Sequence, residues 1–209
     1  MIRALMVDVD GVLVCGRPRD GLPWAADLKA DLGIDPAQLH SEFFLPHWTE
    51  VVLGRVGMEV RLAVALRKIA PHLHPDEFIK YWFENDARIN VALLDELERK
   101  RRAGMRVYLA TNQEHLRARY LLDTLGLGPH FDDVFYSAAI GSRKPDPAFF
   151  QHIARSSRHA PAELLLIDDT AANVAAAETA GWRAVHWSGD CSLASILERF
   201  DDDGSFARR

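Results

Sequence analysis

Cysteine is nearly absent: Cys15 and Cys191 are the only two in 209 residues, and they stand far apart. That excludes a disulfide framework and fits a reducing compartment. Long apolar runs are missing too, since none approaches the ~18 residues a membrane span needs. The opening stretch meets Asp8 and Asp10 before the apolar region of a secretion signal could form, so a cytoplasmic location and no membrane partner are expected. Nor is there an excess of positive charge. Lys+Arg 25 against Asp+Glu 30 gives a net charge of −5, the opposite of a phosphate-backbone binder, and no nucleic-acid partner is expected. Compositional bias is absent as well. Hydrophobic residues at 48% and charged residues at 26% match soluble globular domains, which excludes disorder and fibrous repeats. At roughly 150 residues per domain, the chain allows one well-buried core and a smaller satellite.

What is present is an alternation. Short apolar runs at Ile2–Val9, Met105–Ala110, Val134–Tyr136, Leu164–Ile167 and Ala184–Trp187 read as buried strands. Between and after them lie helical patterns at Glu114–Leu125, Ala148–Ser156, Ala171–Ala180 and Ser192–Phe200. Strands alternating with helices predict an α/β fold, a five-stranded parallel sheet flanked by helices. The interval from Cys15 to Asn90 breaks the alternation with helical patterns only, at Ala25–Leu32, Pro36–Phe44, Glu59–Ile69 and Pro75–Phe83. The expected division is therefore a core from residues 1–14 and 91–200, an inserted helical unit at 15–90, and a polar, frayed tail at 201–209. The helix at Ala92–Ala103 is expected to end at Gly104 in a left-handed cap.

Several conspicuous residues have plain readings. Arg99-Lys100-Arg101-Arg102 closes that helix, where cations complement the dipole, and reads as a solvated face. His72 and His74 lie between prolines without a third ligand nearby, so a loop is expected rather than a zinc site. Trp24, Trp48 and Trp82 read as core, and nothing marks Cys15 as a thiol of low pKa.

In an open parallel sheet the ligand crevice lies beyond the carboxyl ends of the strands. At those ends stand Asp8-Val9-Asp10-Gly11, Thr111-Asn112 and Asp168-Asp169-Thr170, with Lys144-Pro145-Asp146-Pro147 opening a later helix. Carboxylates gathered at one rim repel by roughly 4 kcal/mol per pair at 4 Å and an effective dielectric of 20. A cation is needed to hold them together, and an all-oxygen set suits Mg²⁺. Lys144 adds a second positive charge, and the Thr111 hydroxyl with the backbone N–H groups after it can hold a phosphate. Nucleophilic carboxylate, metal, lysine and hydroxyl together describe phosphoryl transfer. Asp146 and Pro147 read as the cap and first residue of their helix, and Thr170 as a plain N-cap.

In this order and spacing, Asp8-Val9-Asp10-Gly11-Val12-Leu13, Thr111-Asn112, Lys144-Pro145 and Asp168-Asp169 resemble the four motifs of the haloacid dehalogenase superfamily. The resemblance runs from Ile2 to about Trp187. The insertion resembles the helical cap of the subgroup that includes small-metabolite phosphatases, haloacid dehalogenases and β-phosphoglucomutase. It implies Asp8 as nucleophile and metal ligand, and Asp10 as acid/base with its backbone carbonyl on the metal. It further implies Thr111 and the Asn112 backbone as phosphate contacts, Lys144 as the neutralising cation, Asp169 as a Mg²⁺ ligand and Asp168 as its support. Two positions depart: Asn173 stands where many relatives have an acidic residue, and Leu53 precedes Gly54 where related caps often place an arginine. The expected function is Mg²⁺-dependent hydrolysis of a small phosphorylated metabolite through an aspartyl-phosphate, by a monomer or homodimer. The alternatives are a phosphomutase, a metal-free haloacid dehalogenase, which has no need of Asp10, and a non-catalytic binding module, which would not need to keep Asp8 and Lys144.

Overall fold

Four consecutive residues with no exposed surface, Ala4 to Val7, form β1 (Ala4–Val7), and a strand that apolar on both faces belongs at the centre of a sheet covered twice. The computed structural model, which describes residues 1–189 and 192–202, places it there. The other strands are β2 (Arg106–Thr111), β3 (Asp133–Tyr136), β4 (Leu164–Asp168) and β5 (Arg183–His186). The order is β3-β2-β1-β4-β5, with every pairing parallel. Period-two alternation splits the side chains between two cores. Leu5, Val7, Leu109 and Ile167 face one side, while Met6, Tyr108, Ala110 and Leu166 face the other.

Between β1 and the next core helix all the regular elements are helices: α1 (Leu28–Leu32), α2 (Pro36–Leu39), α3 (Leu45–Val52), α4 (Met58–Ile69) and α5 (Pro75–Asn85). The core resumes with α6 (Val91–Arg102), α7 (His115–Arg119), α8 (Ser137–Ile140), α9 (Pro147–Ser157), α10 (Ala171–Thr179) and α11 (Leu193–Asp202). Helices α6 and α11 cover the first sheet face through Leu93, Leu97, Leu193 and Ile196. Helices α9 and α10 cover the second through Phe149, Phe150, Ile153 and Ala177. Gly104 is left-handed at φ 96°, just past the end of α6. Asp201 and Asp202 belong to α11, while 203–209 of the expected tail lie outside the described residues.

The inserted helices have their own core, built on Phe43, Leu62, Leu66, Phe78 and Trp82. Trp24 stacks on Trp82 at 5.0 Å and Trp48 packs at 5.8 Å, so all three tryptophans serve packing. Helix α3 lies outside the helical patterns read from the sequence, where Pro46 looks like a breaker. A π-helical turn at His40–Phe44 precedes it, with the Leu45 N–H reaching back to the His40 carbonyl. Phe44 and Leu45 keep right-handed helical backbone, so the helix runs on through this wider turn, and the shift in hydrogen-bond register lets Pro46, which has no N–H to give, sit within it. The chain entering this unit is pinned by Arg17, which is 1% exposed. It donates to Asp20 at 3.0 and 2.7 Å and to Asp27 at 2.6 Å. His72 and His74 lie in the turn before α5, where His74 Nδ1 accepts from the Asp76 N–H at 3.3 Å. The basic run ends α6, with Arg101 on Asp132 and Arg102 on Glu98. No helix among the described residues is long and apolar enough to cross a membrane.

Candidate active site

Strand register places the site. Val7 is level with Leu109 and Ile167, so β1 and β4 end within one residue of each other while β2 runs two residues further, to Thr111, and the Asp8 N–H donates to the Ile167 carbonyl at 3.0 Å. Asp8 and Asp168, each next after a paired strand residue, are therefore brought side by side. The chain after Asp8 coils at once, because the Val9 carbonyl accepts from the N–H groups of Val12, Leu13 and Val14. That coil lifts Asp10 to the surface above Asp8. The Val9 N–H donates to Asp8 Oδ1 at 2.8 Å.

Lys144 comes up from beneath. It is 2% exposed, and its ammonium reaches Asp8 Oδ1 at 2.9 Å, Asp168 Oδ2 at 2.6 Å and the Ala110 carbonyl at 2.8 Å. All three donors are used. Burial alone would lower its pKa, but the charges of Asp8 and Asp168 more than reverse that and hold it above the ordinary lysine value. Burial pushes the Asp8 carboxyl up from 3.8 to about 6, against the opposing pull of Lys144. The backbone that carries Lys144 is clamped by Asn112, whose side chain accepts from the Lys144 N–H at 2.8 Å and donates to its carbonyl at 2.9 Å. Asp146 caps α9 by accepting from the Ala148 N–H, with Pro147 in the first helical turn, and this fixes the lysine's approach.

The two adjacent aspartates at the end of β4 differ sharply. Asp168 is fully buried and accepts from Lys144, from the Thr170 N–H at 2.9 Å and from Asn173 Nδ2 at 3.0 and 3.2 Å. Asn173 thus supplies a neutral donor where an acidic side chain would face Asp168. Asp169 is exposed, and among the described residues its carboxylate receives only the Thr170 hydroxyl, at 3.2 Å. Thr170 holds the N-cap position of α10, but its hydroxyl is spent on Asp169 and not on the helix. Gly11 makes room for that carboxylate. It has φ 80°, and a Cβ there would lie 2.0 Å from Asp169 Oδ2, so both backbone and space require glycine.

Asp8, Asp168 and Asp169 each offer an oxygen within 4.8 Å of the others. Three carboxylates against one ammonium leave two negative charges, which a divalent cation balances, and an oxygen-only donor set suits Mg²⁺. The residues fit the ion. Thr111, Asn112, Asp8, Asp10 and Asp169 line one cleft of about 320 Å³, whereas Lys144 and Asp168 lie below its floor. A larger apolar groove of about 840 Å³ along α9 and α10 holds none of these residues. Helix α7 begins beyond Thr111-Asn112, and its first N–H groups are taken by Glu114, which caps Leu116 and Arg117. The phosphate contacts expected at Thr111 and Asn112 are therefore separate from that helix terminus. Burial, with Asp169 next, pushes the Cys15 thiol up, away from a reactive thiolate.

Two residues around Asp10 were not singled out from the sequence. Gln113, 2% exposed, donates to Asp10 Oδ2 at 2.7 Å and lies 3.4 Å from the Thr111 hydroxyl. Arg117, 3% exposed, stands 3.7 Å from Asp10 Oδ1 and 3.3 Å from Asp86 Oδ2. Position next to Thr111-Asn112 was the one available signal for Gln113, and Arg117 had none.

Residues 2–181 match the family model described as haloacid dehalogenase-like hydrolase. Among curated proteins, a sesquiterpene phosphatase of Aspergillus oryzae is 34% identical over 146 residues, 70% of this chain and 65% of that protein. This chain thus spans somewhat less than two thirds of that relative. A plasmid-borne phosphoglycolate phosphatase of Cupriavidus necator is 29% identical over 85% of this chain and 77% of that one. Among solved structures, an aspartate-to-alanine mutant of a HAD family enzyme of Bacteroides thetaiotaomicron, in complex with magnesium and inorganic phosphate, superposes with a TM-score of 0.77 at 18% identity. It covers 94% of this chain and 99% of its own. An L-2-haloacid dehalogenase of Xanthobacter autotrophicus gives 0.60 at 20% identity, over 94% of this chain and 81% of its own.

Proposed function

The chain belongs to the haloacid dehalogenase-like hydrolases, and from that premise we propose that it hydrolyses phosphate monoesters of small metabolites, using Mg²⁺ and a phosphoryl group carried on Asp8. The observation that carries this reading is the pairing of a lysine-bound carboxylate, Asp8, with a second carboxylate, Asp10, in the same cleft. Displacement at carbon by a metal-free dehalogenase needs the first and not the second. The two curated relatives named above are a sesquiterpene phosphatase and a phosphoglycolate phosphatase.

With its carboxyl at about 6, Asp8 is ionised at neutral pH. Its oxygen attacks phosphorus, the bond to the leaving oxygen breaks with its electron pair on oxygen, and Asp10 gives that oxygen its proton. Asp10, now a carboxylate, takes a proton from water as the water oxygen attacks phosphorus, and the bond to Asp8 breaks. Lys144 keeps the Asp8 charge balanced through both steps, while Thr111 and the Asn112 backbone hold phosphoryl oxygens. Asp8, Asp169 and the Asp10 carbonyl would hold Mg²⁺, which supplies charge neutralisation at the phosphoryl group. Residues 15–90 serve as the lid that selects the leaving group, with Leu53 giving it an apolar side chain where related caps carry a cation.

A panel of phosphoglycolate, a sugar phosphate and an isoprenoid phosphate, assayed for phosphate release with Mg²⁺ and with a chelator, tests the reading. Release that depends on the metal is expected for at least one of them. Release undiminished by chelator, or chloride release from a 2-haloacid without metal, would replace this reading with another.

The contrast between the adjacent aspartates makes a further prediction. Asp168→Asn removes a carboxylate bound to Lys144 and Asn173, a supporting position whose loss costs about 10–100-fold in metal affinity or activity. Asp169→Asn removes the exposed carboxylate beside Gly11, and the larger rise in the Mg²⁺ dissociation constant is expected there. A titration of the two variants showing equal rises, or the larger one at Asp168→Asn, would reverse the assignment.

A further inference from the structure

The carboxylate of Asp10 is half exposed, with its side chain at 51%, yet two nearly buried side chains hold it from opposite sides. Gln113 takes Oδ2. Arg117 faces Oδ1, and its guanidinium does more than meet that charge. It stacks over the rings of Phe83 and Tyr120 at 5.2 and 5.6 Å. It also donates to the carbonyls of Phe83 and Asp86, and it pairs with the Asp86 carboxylate. Phe83 and Asp86 belong to the end of α5, where the chain leaves the inserted helices. One buried guanidinium on α7 thus joins that exit to the residue two positions after Asp8.

An arginine buried only to fasten the exit of α5 has no need of Asp10. Asp86 and the two carbonyls use its donors, and the rings use its face. The guanidinium charge 3.7 Å from Oδ1, opposite the 2.7 Å hydrogen bond from Gln113 to Oδ2, favours one rotamer of the carboxylate over the cleft. A half-exposed aspartate without such partners would sample several rotamers. Proton transfer in the transition state needs the acid within about 2.6–3.2 Å of the oxygen it serves.

Resting on the phosphatase reading above, we infer that Arg117 is a positioning residue: with Gln113 it fixes the rotamer from which Asp10 delivers its proton to the leaving oxygen, and it ties that rotamer to the exit of the helical unit. The proton passes from Asp10 to the oxygen that carries away the electron pair of the broken P–O bond, so the benefit grows with the basicity of the leaving group. A nitrophenolate leaves without a proton, whereas an alkoxide requires one.

The test is the first turnover of two substrates, 4-nitrophenyl phosphate and an alkyl phosphate, by wild type, Arg117→Met, Arg117→Lys and Gln113→Met with Mg²⁺. For Arg117→Met the alkyl phosphate should slow at least about tenfold, part of the about 10²–10⁴-fold that a positioned acid supplies, while release of nitrophenol in the first turnover stays within about threefold of wild type. Arg117→Lys should recover part of the loss. Gln113→Met leaves the α5 contacts untouched and should show the same leaving-group dependence, so the inference stays testable even if Arg117→Met fails to fold. Equal slowing of both substrates in Gln113→Met and Arg117→Lys would make these residues structural only and overturn the inference. Unchanged alkyl-phosphate rates in both would do the same. A wild type inert toward both substrates would remove the phosphatase reading and this inference with it.

Discussion

Asp8→Asn is expected to reduce turnover of an aryl phosphate by about 10⁴-fold or more, the scale on which loss of a nucleophile is felt, without loss of fold. An amide has no carboxylate oxygen with which to attack phosphorus, yet it has the same shape and its oxygen can still accept from Lys144 and the Val9 N–H. Turnover near the wild-type rate would remove Asp8 from the reaction.

The same substitution is expected to help the metal-free protein fold. Burial holds the folded Asp8 carboxyl at about 6, above its ordinary 3.8, a gap equivalent to about 3 kcal/mol. A folded pKa above the unfolded one means that the contribution is fully present below 3.8 and is lost as pH rises through about 6. Burial, with Asp10 next, raises Asp86 in the same direction, also to about 6. In chelator, melting temperatures of wild type should therefore fall between about pH 4 and 6 relative to those of Asp8→Asn, with Asp86 contributing equally to both curves. Parallel curves would mean that Asp8 does not bear this cost.

How much of this could be read in one dimension differs by element. The five strands were legible because each is a short apolar run with polar residues at its end, and the register then carries Asp8 and Asp168 to one edge. Lys144 was legible from the proline and capping aspartate that follow it, since these set a helix start. Helix α3 was not, because a π-helical turn absorbs Pro46, and no local pattern announces that turn. Arg117 and Arg119 lie two residues apart on α7 and read alike, but only Arg117 is buried. Its partner Asp86 comes from the far end of the inserted helices, and such long-range pairing leaves no trace in the spacing of either segment. The side-chain use of Asn112 was equally hidden, because the main chain it clamps is that of Lys144, brought beside it only by the fold.

Lys144→Met is expected to do the opposite to stability of what Asp8→Asn does, while also removing activity. Methionine fills nearly the same volume but withdraws the one cation between two buried carboxylates. Breaking a buried pair from one side leaves an uncompensated charge and costs about 3–5 kcal/mol. Here the exposure of Asp168 is 0% and that of Asp8 is 8%, so water cannot take over the role of the ammonium. Asp168 keeps Asn173 and the Thr170 N–H, which softens its loss, whereas the Asp8 carboxylate keeps only the Val9 N–H among the described residues. The greater part of the cost should therefore come from Asp8, and adding Asp8→Asn to Lys144→Met should restore much of the lost stability. Urea unfolding of the two single variants and the double variant, all in chelator, reads this as a coupling energy. A Lys144→Met protein within about 1 kcal/mol of wild type, the range of ordinary substitutions, would show that the lysine does not neutralise this site. A double variant no more stable than Lys144→Met would place the cost on Asp168 instead.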